Sequence, residues 1–163
     1  MRRDALISYC GNYRYWLTRD WSSKNTNVKV VCFVMLNPSK ADAEQDDPTI
    51  RRCINYAKDW GFSVLLVVNI HAYRATKPAD LRKALNPEGP DNLFWLKHFT
   101  KYSDLVVCAW GNHGAYNNQS RKVLNHFKNW GLKPKCFGLS NCGEPLHPLY
   151  QKRTAELIDM RCE

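Results

Sequence analysis

Hydrophobic positions along the chain gather into three short unbroken runs, Val30 to Leu36, Val64 to Val68 and Leu105 to Trp110. All three contain β-branched residues and lack the alternation of a half-exposed strand, which predicts strands covered on both faces. A fourth segment, Lys135 to Leu139, follows the same logic. Tyr13 to Arg19 instead alternates Tyr13, Tyr15 and Leu17 with Arg14, Trp16 and Thr18, as an edge or antiparallel strand does.

Helical spacing fills the gaps. Asp47 can cap free amides and Pro48 suits a first helical position, where no N–H is needed. Ile50, Cys53, Ile54 and Ala57 then recur toward a sheet, Arg51, Arg52, Asn55 and Lys58 face outward, and Gly61 supplies a stop. A second helix is expected over about Asp91 to Lys101 with Leu93, Phe94 and Leu96 inward. A third is expected over about Asn117 to Trp130, using Val123, Leu124 and Phe127 and ending at Gly131. This alternating order predicts an α/β fold: a single domain over residues 1–163, built as a three-layer α/β/α sandwich around a central, mostly parallel sheet of four or five strands. Ligands of such folds bind at the carboxyl ends of the strands, so the loops after Leu36, Val68, Trp110 and Leu139 should converge.

Composition narrows the function classes. Lys and Arg outnumber Asp and Glu by 24 to 15, and the net charge of +9 favours a polyanionic partner, nucleic acid or a phosphorylated small molecule. Seven cysteines form an odd set without a C-x-x-C pair, which suggests neither a disulfide framework nor a zinc ribbon, so no metal and no cofactor are expected. Reduced thiols fit the cytosol. The longest apolar run, Val30 to Leu36, is far too short to span a bilayer. The expectation is a soluble, cytoplasmic monomer with no membrane contact.

The strand-end loops carry the candidate chemistry. The first, Asn37-Pro38-Ser39-Lys40 through Asp47, is long for its place and rich in groups that position water. Asn37 can donate and accept at once, and Asp42, Glu44, Asp46 and Asp47 are available as bases. The second places Asn69, His71, Tyr73 and Arg74 within six residues, a mixture suited to stacking bases and holding phosphate. In the third, Trp110-Gly111-Asn112 precedes a helix start and allows close backbone approach to a phosphate or base. The fourth holds His147 between Pro145 and Pro148, where the imidazole could serve as acid, base or donor to an anion.

Two resemblances follow from these segments. Met35-Leu36-Asn37-Pro38-Ser39, Asp46-Asp47-Pro48-Thr49-Ile50-Arg51-Arg52-Cys53, Asn69 to Thr76, Ala109-Trp110-Gly111-Asn112 and His147-Pro148-Leu149-Tyr150 closely resemble the bacterial and phage family called domain of unknown function 1643, from Tyr13 to Tyr150. More distantly, the order of motifs resembles the uracil-DNA glycosylase superfamily. Leu36-Asn37-Pro38-Ser39 is similar to its water-positioning element, Val67-Val68-Asn69 to its base-reading strand end, Trp110-Gly111 to a further strand end, and His147-Pro148-Leu149 to its closing element. Ser39 stands where that superfamily has Gly or Tyr, and Leu149 where it has Ser.

That resemblance implies a uracil-DNA-glycosylase-like fold and an enzyme that flips a modified or noncanonical base out of DNA and hydrolyses its N-glycosidic bond. Asn37 or a loop carboxylate, Asp42 or Asp46, would orient water, and His147 would stabilise the departing base. Asn69 would read the base in a pocket shared with Pro38, Ser39, His71, Tyr73, Trp110, Gly111 and Asn112. Lys40, Arg51, Arg52 and Arg74 would hold phosphates. Two alternatives stay open: a silent nucleic-acid or nucleotide-binding module, and an enzyme acting on free modified nucleotides.

Overall fold

The computed structural model of the protein describes residues 1–24 and 27–162. Among them run seven strands, β1 (Arg2–Ile7), β2 (Arg14–Asp20), β3 (Val30–Met35), β4 (Val64–Asn69), β5 (Leu105–Cys108), β6 (Lys135–Cys136) and β7 (Ile158–Asp159). The helices are α1 (Pro48–Asp59), α2 (Pro78–Lys83), α3 (Asn92–Tyr102) and α4 (Gln119–Asn129). All seven strands join one sheet in the order β1-β2-β4-β3-β5-β6-β7.

The middle of the sheet is built from the apolar runs. Every residue of β3 is buried, and its side chains divide by parity: Val31, Phe33 and Met35 enter one core with α1, while Val30, Cys32 and Val34 enter the other with α3 and α4. Period-two alternation of a strand sandwiched between helices requires both sets to be apolar. β3 pairs in parallel with β4 and β5, and β5 with β6, so the ends of these strands open toward one edge. The register Met35↔Asn69 sets the two central strand ends side by side.

The expectation of a mostly parallel sheet of four or five strands is corrected. The described residues form seven strands, and the β1–β2, β2–β4 and β6–β7 ladders are antiparallel. The molecule is a mixed α/β fold. Strand β1 begins Arg2-Arg3-Asp4, all exposed, so an edge position hides it from a hydrophobic scan, and β7 is two exposed residues.

Helix boundaries show similar effects. Asp47 caps α1 as expected, its Oδ1 accepting from the Ile50 amide at 2.8 Å, and Pro48 opens the helix. In α3 the inward stripe is Asn92, Leu96 and Thr100, whereas Leu93 and Phe94 are exposed, contrary to the apolar reading. Polar side chains take the inner face because each has a buried acceptor. Asn92 Nδ2 donates to the Asn69 carbonyl at 2.8 Å, and Thr100 Oγ1 donates to the Leu96 carbonyl at 2.7 Å. The third helix begins at Gln119 rather than Asn117, because Asn117 and Asn118 sit at φ 54° and 57°, in the left-handed region that ends one helical turn before another starts. The strand expected over Lys135 to Leu139 stops at Cys136, and Leu139 instead bridges to Pro145.

Candidate functional site

The carboxyl ends of the parallel strands surround a cavity of about 760 Å³. Met35 and Val67 give it an apolar floor, and four sequence-predicted loops do meet around it. Asn37, Ser39, Lys40, Asn69, Trp110, Gly111, Asn112 and His147 all line the cleft. Pro38 is buried beside it, and its carbonyl accepts from the Ala75 amide and from Asn37.

Asn69 ends β4 at 1% exposure, and both its Nδ2 and its Oδ1 are buried without a hydrogen-bond partner. A buried amide in that state loses solvation without compensation, typically about 1–3 kcal/mol for each orphaned group. Its backbone carbonyl is anchored by Asn92, so the strand end is fixed while the side chain is unengaged. An amide presents a donor and an acceptor side by side, the complement of a nucleobase edge.

Asn37 behaves differently. Its Nδ2 donates to the carbonyls of Pro38, Tyr73 and Ala75, the last at 2.7 Å, which stitches the first loop to the second. The Oδ1 atom makes no hydrogen bond among the described residues and is the atom able to accept from water.

His147 is half-buried and introduces a short 3-10 turn over Pro148–Tyr150. Its Nδ1 accepts from the Leu149 amide at 3.2 Å, so the neutral ring carries its proton on Nε2. Burial lowers its pKa below the ordinary histidine value, with the Asp47 carboxylate opposing that shift. At neutral pH the ring is uncharged and presents an Nε2–H donor.

The wall holding His147 is fastened through a carboxylate that sequence reasoning missed. Glu144, 9% exposed, accepts from Trp110 Nε1 at 2.7 Å and from Ser120 Oγ at 2.8 Å, while the Gly111 amide donates to the Pro145 carbonyl at 2.9 Å. Gly111 lies at φ 75°, where a side chain is strained, and Ser140 Oγ donates to Asn112 Oδ1 at 2.5 Å. Nothing local in Gly143-Glu144-Pro145 announces this clamp.

Other predicted residues lie outside the cleft lining. Asp42 Oδ1 accepts the amides of Glu44 and Gln45, bonds that hold its pKa below the usual carboxylate value and shape the loop. Asp46 is paired with Arg19 at 2.7 Å and Arg3 at 2.9 Å. The structure therefore turns both proposed bases into loop supports, and the carboxylate lining the cleft is Asp47.

His71 is 1% exposed, its ring 6.1 Å from that of Tyr116, and burial pushes its pKa down to about 4. Tyr73 packs edge-on against Tyr13 at 5.9 Å, and Arg74 donates to the Gly11 carbonyl, because this loop runs along the turn preceding β2. Arg52 donates to the Gln151 carbonyl and stacks over Tyr56, and Arg51 donates to the Asp46 carbonyl. Of the four proposed phosphate contacts, only Lys40 lines the cleft. Among the described residues no helix is long and apolar enough to cross a membrane, and no group of three or more His, Cys, Asp and Glu could hold a metal ion.

A cation that the sequence reading left unassigned completes the lining. Arg14, on β2, is 2% exposed. Its Nη1 donates to the Ala41 carbonyl at 2.7 Å, its Nε has no partner, and burial lowers its pKa to about 10, so it is charged at neutral pH.

No curated protein and no solved structure matches the chain. A family model described as Protein of unknown function (DUF1643) matches residues 14–149, a span reaching from Arg14 through His147 and so containing the whole set of cleft side chains described above. The chain belongs to the DUF1643 family.

Proposed function

We propose that the cleft receives a nucleobase and that the protein is a glycosylase-like enzyme hydrolysing the N-glycosidic bond of a modified or noncanonical base in DNA. The observation that carries this reading is Asn69, a buried amide with both polar atoms unpartnered at the end of a central strand. A flipped base would supply the missing acceptor and donor together, offsetting the cost of leaving them bare.

The other cleft groups fit such a reaction. Asn37 Oδ1 accepts a hydrogen bond from the attacking water, and Asp47 is the cleft carboxylate able to take its proton. The water oxygen bonds to the sugar carbon as the C–N bond breaks, the electron pair of that bond goes to the base, and the neutral His147 ring donates from Nε2 to the oxygen or nitrogen where the charge develops. The proton taken from water is finally returned to the departing base. The net charge of +9, with Lys40 lining the cleft, favours a polyanionic substrate.

The test is incubation with duplexes carrying a panel of modified bases, including heavily modified phage DNA, scoring free base and abasic sites. Release is expected for a subset, falling about 100-fold in Asn69→Leu, the order seen when one preorganised hydrogen-bonding group is removed from a site. Absence of release across the panel by folded protein overturns the enzymatic reading.

A further inference from the structure

Arg14 and Arg19 lie on one strand and are both almost fully buried, yet their surroundings differ. Arg19 is held by the Asp46 carboxylate at 2.7 Å and by the carbonyls of Thr18, Asp42 and Gln45. Arg14 has one carbonyl, that of Ala41, and no carboxylate within 4.0 Å among the described residues. Asp47 acts on it from farther away, with one oxygen committed to the Ile50 amide. The remaining charged groups that bear on Arg14 are Arg74, Arg19 and Asp42, and Asp42 is occupied by its own loop amides.

Strand irregularity puts Arg14 in this position. On β1, Leu6 pairs with Trp16 but Ile7 pairs with Arg14, leaving Tyr15 as an extra residue in the ladder. Such a slip changes which face the following side chain takes. Trp16 packs on the α3 side, whereas Arg14 reaches Ala41 in the α1-side core and lines the cleft with Met35 and Val67.

A guanidinium is rarely buried without an anion, because removing it from water is costly unless a paired charge and hydrogen bonds compensate. Its planar fork matches a carboxylate or phosphate with two parallel bonds. We propose that Arg14 is the receptor for an oxyanion of the substrate, a carboxylate or phosphate carried on the same molecule as the base whose edge Asn69 engages. This rests on the nucleobase reading of the cleft. Arg14 lies among buried apolar side chains, so its partner is a substituent of the base or the terminal phosphate of a free nucleotide, rather than a phosphate linking two nucleotides at the mouth.

The experiment is calorimetric titration of the full chain with matched probes: uracil, uracil-5-carboxylate and uridine 5′-monophosphate, adenine and adenosine 5′-monophosphate, and inorganic phosphate. At least one anionic probe is expected to bind tenfold or more tightly than its uncharged counterpart. That preference should vanish in Arg14→Gln and be partly kept in Arg14→Lys, which retains charge without the fork and serves alone if the glutamine variant does not fold. Preference for the carboxylate places the anion on the base, and preference for the monophosphates places it on the sugar.

Equal affinity for charged and uncharged probes overturns the proposal, as does a preference unchanged by the Arg14 substitutions. The two readings fail separately. Uncharged bases that bind through Asn69 without an anion preference leave the nucleobase cleft standing and remove the anion site. Arg14-dependent binding of inorganic phosphate with no gain from any attached base does the reverse.

Discussion

Two regions border the cleft and treat polar groups in opposite ways. Along the loop of residues 37–47 three polar side chains are absorbed by the protein: Asp42 holds two amides, Asp46 holds two arginines, and the Asn37 nitrogen holds three carbonyls. At the neighbouring strand ends, Asn69 has no side-chain partner and Arg14 has a single carbonyl. Buried groups whose bonds are complete support the fold, while those left incomplete in a cavity mark where a ligand would contribute energy. The acid-rich loop looked the more reactive in sequence, yet the Asp42 and Asp46 carboxylates are spent on holding it together.

This contrast can be broken by substitution. Asp46→Ala is expected to cost about 3 kcal/mol in urea unfolding, since it strips the fully buried Arg19 of its counter-charge while leaving the carbonyl contacts. A loss below about 1 kcal/mol would mean that the carbonyls alone hold Arg19, and the loop would not be the completed structure described.

His71 gives the next effect, through pH. Its pKa falls from 6.5 to about 4 on burial, so the unfolded chain binds a proton that the folded chain refuses as pH drops between those values. The contribution is present above pH 6.5 and is lost progressively down to pH 4, a difference on the order of 3 kcal/mol. Comparing urea midpoints at pH 7 and pH 4 for wild type and His71→Leu isolates it from the other titrating groups, and parallel losses in the two proteins would refute it.

Asn69→Leu should have the smallest effect on stability, within about 1 kcal/mol and in the stabilising direction, because it replaces an unpaired buried amide with an apolar group of similar size. A loss matching that of Asp46→Ala would show that Asn69 belongs to the supporting set after all. The proposed function requires the opposite pairing, near-neutral stability with lost base release.

Much of this was legible beforehand. The runs at Val30, Val64 and Leu105 are strands β3, β4 and β5, and the Asp47-Pro48 start of α1 is where capping chemistry puts it. The meeting of the loops holding Asn37, Asn69, Trp110 and His147 followed from strand order, since parallel strands send their carboxyl ends to one edge. The antiparallel additions were less visible because edge strands need only one apolar face, and α3 was rotated because buried carbonyls at the end of β4 reward Asn92 over Phe94.

What the chain determined by itself was therefore local and periodic: which stretches are strands, where the first helix starts, and which loops share an edge. Tertiary structure decided which polar groups find partners. Asp46 meets Arg19 across 27 residues, Glu144 meets Trp110 across 34, and a one-residue slip in β1 against β2 sets where Arg14 lies. Hydrogen bonds and ion pairs are satisfied within a few ångströms in space, whatever the separation along the chain. For that reason the unpaired amide and cation of the cleft could be recognised only once every competing partner had been placed.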